Sequence, residues 1–405
     1  MNKIFQIALG IVTSVGGFLE IGSIATAAQA GAGFGFQLAW SILVGTICIA
    51  FLVEMSGRFS AVSKHTIPDA MRERFGVRFF AVPLLVMLLV SMLTLGAEVG
   101  GVAAALKLAT GIPLPVWAVP VGLLAWFILW RMTFSFIENG VSLLGLVTLA
   151  FAVAAYKLHP SYAALGKGLL PTLPTHDASK YWFGAVSVLG ASISPYLYYF
   201  YSSGAIEDKW DESYVPVNRA IAAIGMGFGG FLSVAVLVLA ALIFHPRHID
   251  VQQYEQLTGL LTPVLGRPGF WLFVASLGIA CIGATLEISL SLAYLVAQGF
   301  GWRWGEDLSP RRDARFSLTY TAIVAIAVLF PLLGLDPLKL TNIAMALTAA
   351  SLPVGVFPFL ILMNDKTYLG KHTNGPIGNG VVLVVSLMAA VLAIVSIPLE
   401  IIGGG

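Results

Sequence analysis

An all-α integral membrane protein of eleven transmembrane helices, built as an inverted repeat with discontinuous first and sixth helices, is the fold this sequence predicts. Three observations predict it. The chain of 405 residues is 58% hydrophobic and only 10% charged, against about 25% charged in a soluble domain. Apolar runs of about 20 residues, each long enough to cross a hydrocarbon core, recur along its length. Two of those runs, five apart in order, are interrupted by small and polar residues.

The runs fall at 4–31, 36–56, 79–108, 115–131, 137–158, 183–206, 217–244, 268–298, 316–333, 339–362 and 378–400. The first follows Met1-Asn2-Lys3 and contains Gly16-Gly17-Phe18-Leu19-Glu20-Ile21-Gly22-Ser23. The second ends at Glu54, the third carries Glu98 beside Gly100 and Gly101, and the fourth ends at Arg131. The fifth begins near Glu138, and the sixth is interrupted at Ser194-Pro195-Tyr196. The seventh stops before His245, the eighth carries Glu287, and the ninth follows the basic stretch Arg311, Arg312 and Arg315. The tenth and eleventh close the chain, and several runs exceed the minimum span, so tilts or breaks are expected. The longest polar connections are 57–78, 159–182, 245–267 and 301–315.

Lys and Arg set the orientation, since they concentrate on the cytoplasmic side. With eleven spans, 15 of them fall on the side of the N-terminus and 7 on the other. The N-terminus is therefore expected in the cytoplasm and the C-terminus outside. Interrupted spans 1 and 6 imply two five-helix repeats, about 4–158 and 183–362, with 378–400 as an extra helix. An odd number of helices per repeat forces opposite topology, which is the inverted-repeat plan with its binding site at the discontinuous helices. The whole chain reads as one transmembrane domain. Residues 1–30 have some signal-peptide character, but Glu20 ends the apolar run, so a retained first helix is expected.

The net charge of +2 gives no reason to expect a nucleic-acid partner. Cys48 and Cys281 lie in apolar runs and read as packing thiols. No phosphate loop, Cys-x-x-Cys or His-Glu-x-x-His is present, so no cofactor is expected and an enzyme is disfavoured. A non-transporting sensor or scaffold would need a signalling domain, for which the loops leave no room.

Glu20 is the most informative residue. A carboxylate in an apolar span costs at least ~2.5–3.5 kcal/mol to insert at the bilayer centre, and such groups mark substrate or ion routes. The carbonyls freed near Phe18 and Leu19 end one half-helix and attract cations; the amides after Gly22 begin another and attract anions. Either Glu20 serves a ligand or those amides simply satisfy it. Glu287 is a second intramembrane acid: a further ligand, a proton carrier or a packing group. Glu98 is the third, with a hydrogen bond to a neighbouring helix as its plain alternative. Glu54 and Glu138 read as gate or cap residues. Tyr196, Tyr198, Tyr199 and Tyr201 follow the second break, and of these Tyr196 is placed to line a cavity while the rest pack. All six histidines fall in loops or at helix ends, and His245 with His248 reads as an ordinary loop pair. Gly16, Gly17, Gly22, Gly190, Pro195 and Gly204 are the expected hinges.

Particular stretches resemble the natural resistance-associated macrophage protein (NRAMP) family of divalent-metal transporters. Ile24-Ala25-Thr26 and Gln29-Ala30-Gly31-Ala32 resemble the sequence after that family's Asp-Pro-Gly-Asn motif. Ala97-Glu98-Val99-Gly100-Gly101 and Gly111-Ile112-Pro113-Leu114 resemble its third helix. Leu189-Gly190-Ala191 before Ser194-Pro195-Tyr196 is similar to its lead into Met-Pro-His. Leu352-Pro353, Phe357-Pro358 and Asn364-Asp365-Lys366 with Gly370 resemble the end of its tenth helix. The resemblance spans nearly the whole chain and implies a LeuT-like fold in a bacterial inner (cytoplasmic) membrane, as a monomer in the lipid bilayer.

The departures define the chemistry. Family members hold a transition metal with the helix-1 Asp and Asn and the helix-6 Met; here those positions are Glu20, Ser23 and Ser194. The family's Pro is Ile21, its His is Tyr196, and the acid expected three positions before Glu98 is Leu95. Losing the thioether leaves hard oxygen ligands, suited to Mg²⁺, Ca²⁺ or Mn²⁺, and the short serines imply a roomier pocket. The expected substrate-binding set is Glu20, Gly22, Ser23, Ala191, Ser194, Tyr196 and Glu287, with Glu20, Ser23 and Ser194 as metal ligands. Glu98 and Glu138 are expected in proton or conformational coupling. The expected activity is secondary-active transport of a divalent cation, the ion being substrate rather than cofactor. The alternative is a transporter of a small organic cation or amino-acid-like solute.

Overall fold

The computed structural model describes residues 20–131, 146–174, 176–305, 308 and 313–403. The breaks decide its architecture. Glu20, with extended backbone, is the N-cap of α1 (Ile21–Phe34), and Ser23 three residues on completes a capping box. The sixth run is two helices, α7 (Ala178–Ser192) and α8 (Pro195–Glu207), and Pro195, which lacks an N–H, takes the first-turn position where none is needed. Both expected interruptions are thus helix starts, at Ile21 and Pro195.

The remaining spans are α2 (Ala39–Ser63), α4 (Val77–Thr110), α5 (Leu114–Arg131), α9 (Val215–Ile243), α10 (Arg267–Gly299), α11 (Ala314–Leu332), α12 (Pro337–Asn364) and α13 (Pro376–Gly403). Short α3 (Ile67–Phe75) joins α2 to α4, and α6 (Leu149–Lys157) is the described part of the fifth run. Among the described residues eight helices are long and apolar enough to cross a membrane. The other three expected spans are represented by α1, by α6 and by the α7–α8 pair. The first half of span 1, with Gly16 and Gly17, and the start of span 5, with Glu138, lie outside the described residues.

The inner ring consists of α1, α7 and α8, enclosed by α2, α4, α9, α10 and α12. Here α9 packs on α1 and α2, α10 on α4 and α8, and α12 on α4, α7 and α13. α5 and α11 pair on the outside of α4. Outward-facing Leu85, Leu89, Leu123, Phe127, Val391 and Ile394 are exposed, as a lipid-facing surface requires.

One boundary departs from the sequence reading. Glu54 does not end the second helix, and 57–78 is not a loop: α2 runs on to Ser63 and α3 fills much of the remainder. The reason is an ion pair held inside the fold. Arg58 donates from Nε to Glu54 Oε1 at 2.9 Å and from Nη2 to Glu54 Oε2 at 3.0 Å, one turn back along the helix. It also donates to Asn374 Oδ1 at 2.9 Å and to the His372 carbonyl, tying α2 to the α12–α13 connection. Among the described residues, removing Arg58 leaves the Glu54 carboxylate with only the exposed Arg219, 3.7 Å away, and breaking a buried pair is costly. Arg58→Met should therefore lower stability by about 3 kcal/mol, read as a lower thermal midpoint in detergent. The double variant with Glu54→Gln should recover most of the loss, and no recovery would show that the pair is not the source.

Candidate functional site

Glu20 sits at the centre of the inner ring with no exposed surface. Its carboxylate points across the break toward α8, not into lipid. Ser194 Oγ donates to Oε1 at 2.9 Å, and the Tyr196 hydroxyl donates to Oε2 at 2.8 Å. Ser194 is the N-cap residue of α8 and Glu20 that of α1. Two helix N-termini, each carrying partial positive charge, therefore converge on one carboxylate. The first break and the second, separated by 174 residues in the chain, meet at this hydrogen bond.

The other expected residues fall around this pair in distinct ways. Ser23 Oγ donates to the Glu20 carbonyl and accepts from the Glu20 amide, both at 3.0 Å. Its hydroxyl thus fixes the backbone of Glu20 rather than facing the carboxylate. The Ala191 carbonyl, at the open end of α7, accepts from Ser194 Oγ at 3.3 Å. Tyr196 is itself held by α10, where Ser291 Oγ donates to its carbonyl at 2.9 Å. Glu287, one turn earlier on α10, is buried and within electrostatic reach of Tyr196 and Glu98. Glu98, fully buried on α4, accepts from the Ile21 amide at 3.2 Å. It therefore touches the first peptide of α1, at the hinge itself, next to Cys281. Tyr198 and Tyr199 pack, Tyr198 stacking on Phe359 at 5.9 Å.

One side chain at the site was missed in the sequence. A Cβ added at Gly22 would lie 2.8 Å from Met345 Sδ and 3.3 Å from Glu20 Oε1. The thioether of α12 and the carboxylate of α1 therefore flank the same point in space. Gly190 makes this approach possible. Its Cβ would fall 1.9 Å from the Met345 carbonyl, so only glycine lets α7 lie this close to α12. Gly190, expected as a hinge, acts here as a close-packing position. Met345 is buried, against Ala191 and Ala344.

The arrangement brings together one carboxylate, two hydroxyls, a helix-end carbonyl and a thioether. Among the described residues no three His, Cys, Asp or Glu side chains cluster as a metal site, so the donors here are of mixed type. His245 instead binds the Ala32 carbonyl from Nδ1 at 2.9 Å. Cys48 and Cys281 are free and buried, and Cys281 hydrogen-bonds Glu98.

Comparison with known proteins agrees with this geometry. A divalent metal cation transporter, MntH, of Aeromonas hydrophila is 28% identical over 376 residues, covering 90% of this chain and 88% of that one. The crystal structure of a manganese transporter mutant from Eremococcus coleocola superposes with a TM-score of 0.77 at 20% identity, over 98% of this chain and 87% of that one. A nucleobase-cation-symport-1 family transporter in a closed conformation shares the fold at a TM-score of 0.62 and 14% identity, over 96% and 91%. The fold is thus the LeuT-like one that the interrupted helices imply, in a family of membrane transporters rather than enzymes. The family model for natural resistance-associated macrophage protein-like proteins matches residues 10–398, and the chain belongs to that family.

Proposed function

We propose that this protein is a secondary-active transporter that moves a divalent cation, Mn²⁺ or a similar ion, by alternating access. The observation that carries this reading is the Glu20 carboxylate, buried at the junction of two half-helices and held by hydroxyls from across the break. A cation entering there gains a full counter-charge. Ser194 and Tyr196 turn their protons away and offer lone pairs, while the Ala191 carbonyl adds a helix-end dipole. Ser23 acts one step back, by fixing the carboxylate's backbone. Met345 supplies a soft donor beside these hard ones, which tilts the site from Mg²⁺ and Ca²⁺ toward transition metals, Mn²⁺ least among them.

Alternating access follows from the two breaks. The described half-helices α1 and α8 can tilt about Glu20 and Ser194 while α4, α9 and α12 stay packed, the two five-helix repeats moving against each other. Glu98 reads that motion through the Ile21 amide, and its protonation would weaken this bond. Glu98 and Glu287 are therefore the candidates for coupling to protons. The N-terminus lies in the cytoplasm of a bacterial inner membrane, the C-terminus outside, and the functional unit is a monomer.

Proteoliposomes containing the purified chain should take up Mn²⁺ faster than Mg²⁺ or Ca²⁺, and a panel of divalent ions tests this directly. Absence of any divalent uptake, with uptake of a small organic cation or amino acid instead, would replace this reading with the solute-transporter one.

A further inference from the structure

A cavity lies along α1 beyond the break, and none of the groups around the Glu20 carboxylate lines it. It has a volume of about 110 Å³ and is formed by Thr26 of α1, Ser187 of α7 and Asn342 of α12, with Lys180 and Asp250 also on its wall. Helices α1, α7 and α12, which meet near Glu20, thus build this chamber too. Thr26 is six residues beyond Glu20 and Ser187 seven before Ser194, which places the chamber ~10 Å from the carboxylate at 1.5 Å per residue. On α12, Asn342 stands three residues before Met345.

The wall of this chamber presents acceptors. Ser187 Oγ and Asn342 Oδ1 are both buried and have no hydrogen-bond partner, although buried polar atoms are nearly always paired with protein, water or ion. Ser187 as a whole is 4% exposed. Thr26 Oγ1 gives its proton to the Gly22 carbonyl at 2.8 Å, so it too has only lone pairs to offer. Lys180 Nζ holds both Asp250 oxygens, at 3.1 and 3.0 Å. That pair is half exposed, at 45% and 51%, and exposed ion pairs hold weakly enough to exchange partners. The volume admits an ion with several waters. Phe34, Phe183 and Ala30 make part of the wall apolar, and a chamber with spare acceptors on one side and a releasable carboxylate suits a hydrated cation.

We propose that this chamber is a second, outer cation-binding position, where a partly hydrated divalent ion rests on Ser187, Asn342 and Thr26 with Asp250 released from Lys180, before passing to Glu20. The proposal rests on the reading of the chain as a divalent-cation transporter, and the test separates the two. Mn²⁺ bound to the purified full-length protein is counted by equilibrium dialysis and by paramagnetic resonance. The wild type should bind two ions, Glu20→Gln one, and Glu20→Gln with Asn342→Leu none. In the Glu20→Gln background, Lys180→Gln should tighten the remaining ion about two- to fivefold, by removing the competitor for Asp250. That variant also keeps the test independent of any folding defect in Asn342→Leu. One ion in the wild type and none in Glu20→Gln would overturn the outer position and leave the transporter reading standing. One ion persisting in Glu20→Gln but insensitive to both Asn342→Leu and Lys180→Gln would overturn it as well. No ion in the wild type would overturn both readings.

Discussion

Glu20→Gln is expected to abolish divalent-cation uptake while leaving the fold intact. Glutamine has the same shape, and its side-chain oxygen can still accept from Ser194 or Tyr196, the two hydroxyls that hold the carboxylate now. What disappears is the formal charge on the group that joins the two breaks. A divalent ion at a site without exposed surface has lost most of its water, and hydroxyl and carbonyl dipoles alone do not replace a counter-charge there. A loss of at least about 100-fold in uptake is expected, equivalent to ~2.7 kcal/mol. Stability should move the other way. Replacing a buried charge by a neutral isostere is often neutral or stabilising, so the thermal midpoint in detergent should stay level or rise. The opposite signs of the two effects make the result diagnostic, since a misfolded variant loses both. Transport by a well-folded Glu20→Gln variant at wild-type rate would remove Glu20 from the site.

What the sequence revealed of this site, and what it concealed, divides along a physical line. Features that act on the local chain were legible. Pro195 follows Ser192 and Ser194 and removes a backbone donor there, and glycines around a lone acid loosen a helix, so both breaks could be read before any tertiary structure was known. The spacing Glu20-x-x-Ser23 is a capping pattern, and it explains why Ser23 turns back to the backbone of Glu20. Features that exist only between distant segments were not legible. Met345 is one of ten methionines in an apolar helix, and nothing in its neighbourhood distinguishes it from core. Its role appears when Gly22 and Gly190, more than 150 residues away on other helices, are seen to clear the space it fills. The second helix was cut short at Glu54 for a related reason. Charge looks like a boundary in a hydropathy reading, whereas Arg58 and Glu54 neutralise each other inside the helix and allow it to continue to Ser63.

Met345→Leu should change which ions are carried more than how well the protein folds. Leucine and methionine have similar volume, and such exchanges in a core usually cost less than about 1.5 kcal/mol. The close approach of α12 to α7 depends on the Met345 carbonyl and Gly190, and both are unchanged. The substitution removes one atom type from the site, the thioether sulfur beside Glu20 Oε1. A soft donor interacts with Cd²⁺ far more than with Mg²⁺ or Ca²⁺, and with Mn²⁺ only modestly more. The variant should therefore lose preference, with the ratio of Cd²⁺ to Mg²⁺ uptake falling about tenfold, or ~1.4 kcal/mol of discrimination. Competition of each ion against Mn²⁺ in proteoliposomes measures that ratio without requiring absolute rates. Serine at position 194 stands where the resembling family has methionine, so on this expectation the soft ligand has moved from the sixth helix to the tenth while remaining at the same break. An unchanged ratio in a stable Met345→Leu protein would make Met345 a packing residue and return the site to oxygen ligands alone, in which case Mg²⁺ and Ca²⁺ should compete with Mn²⁺ equally well in both proteins.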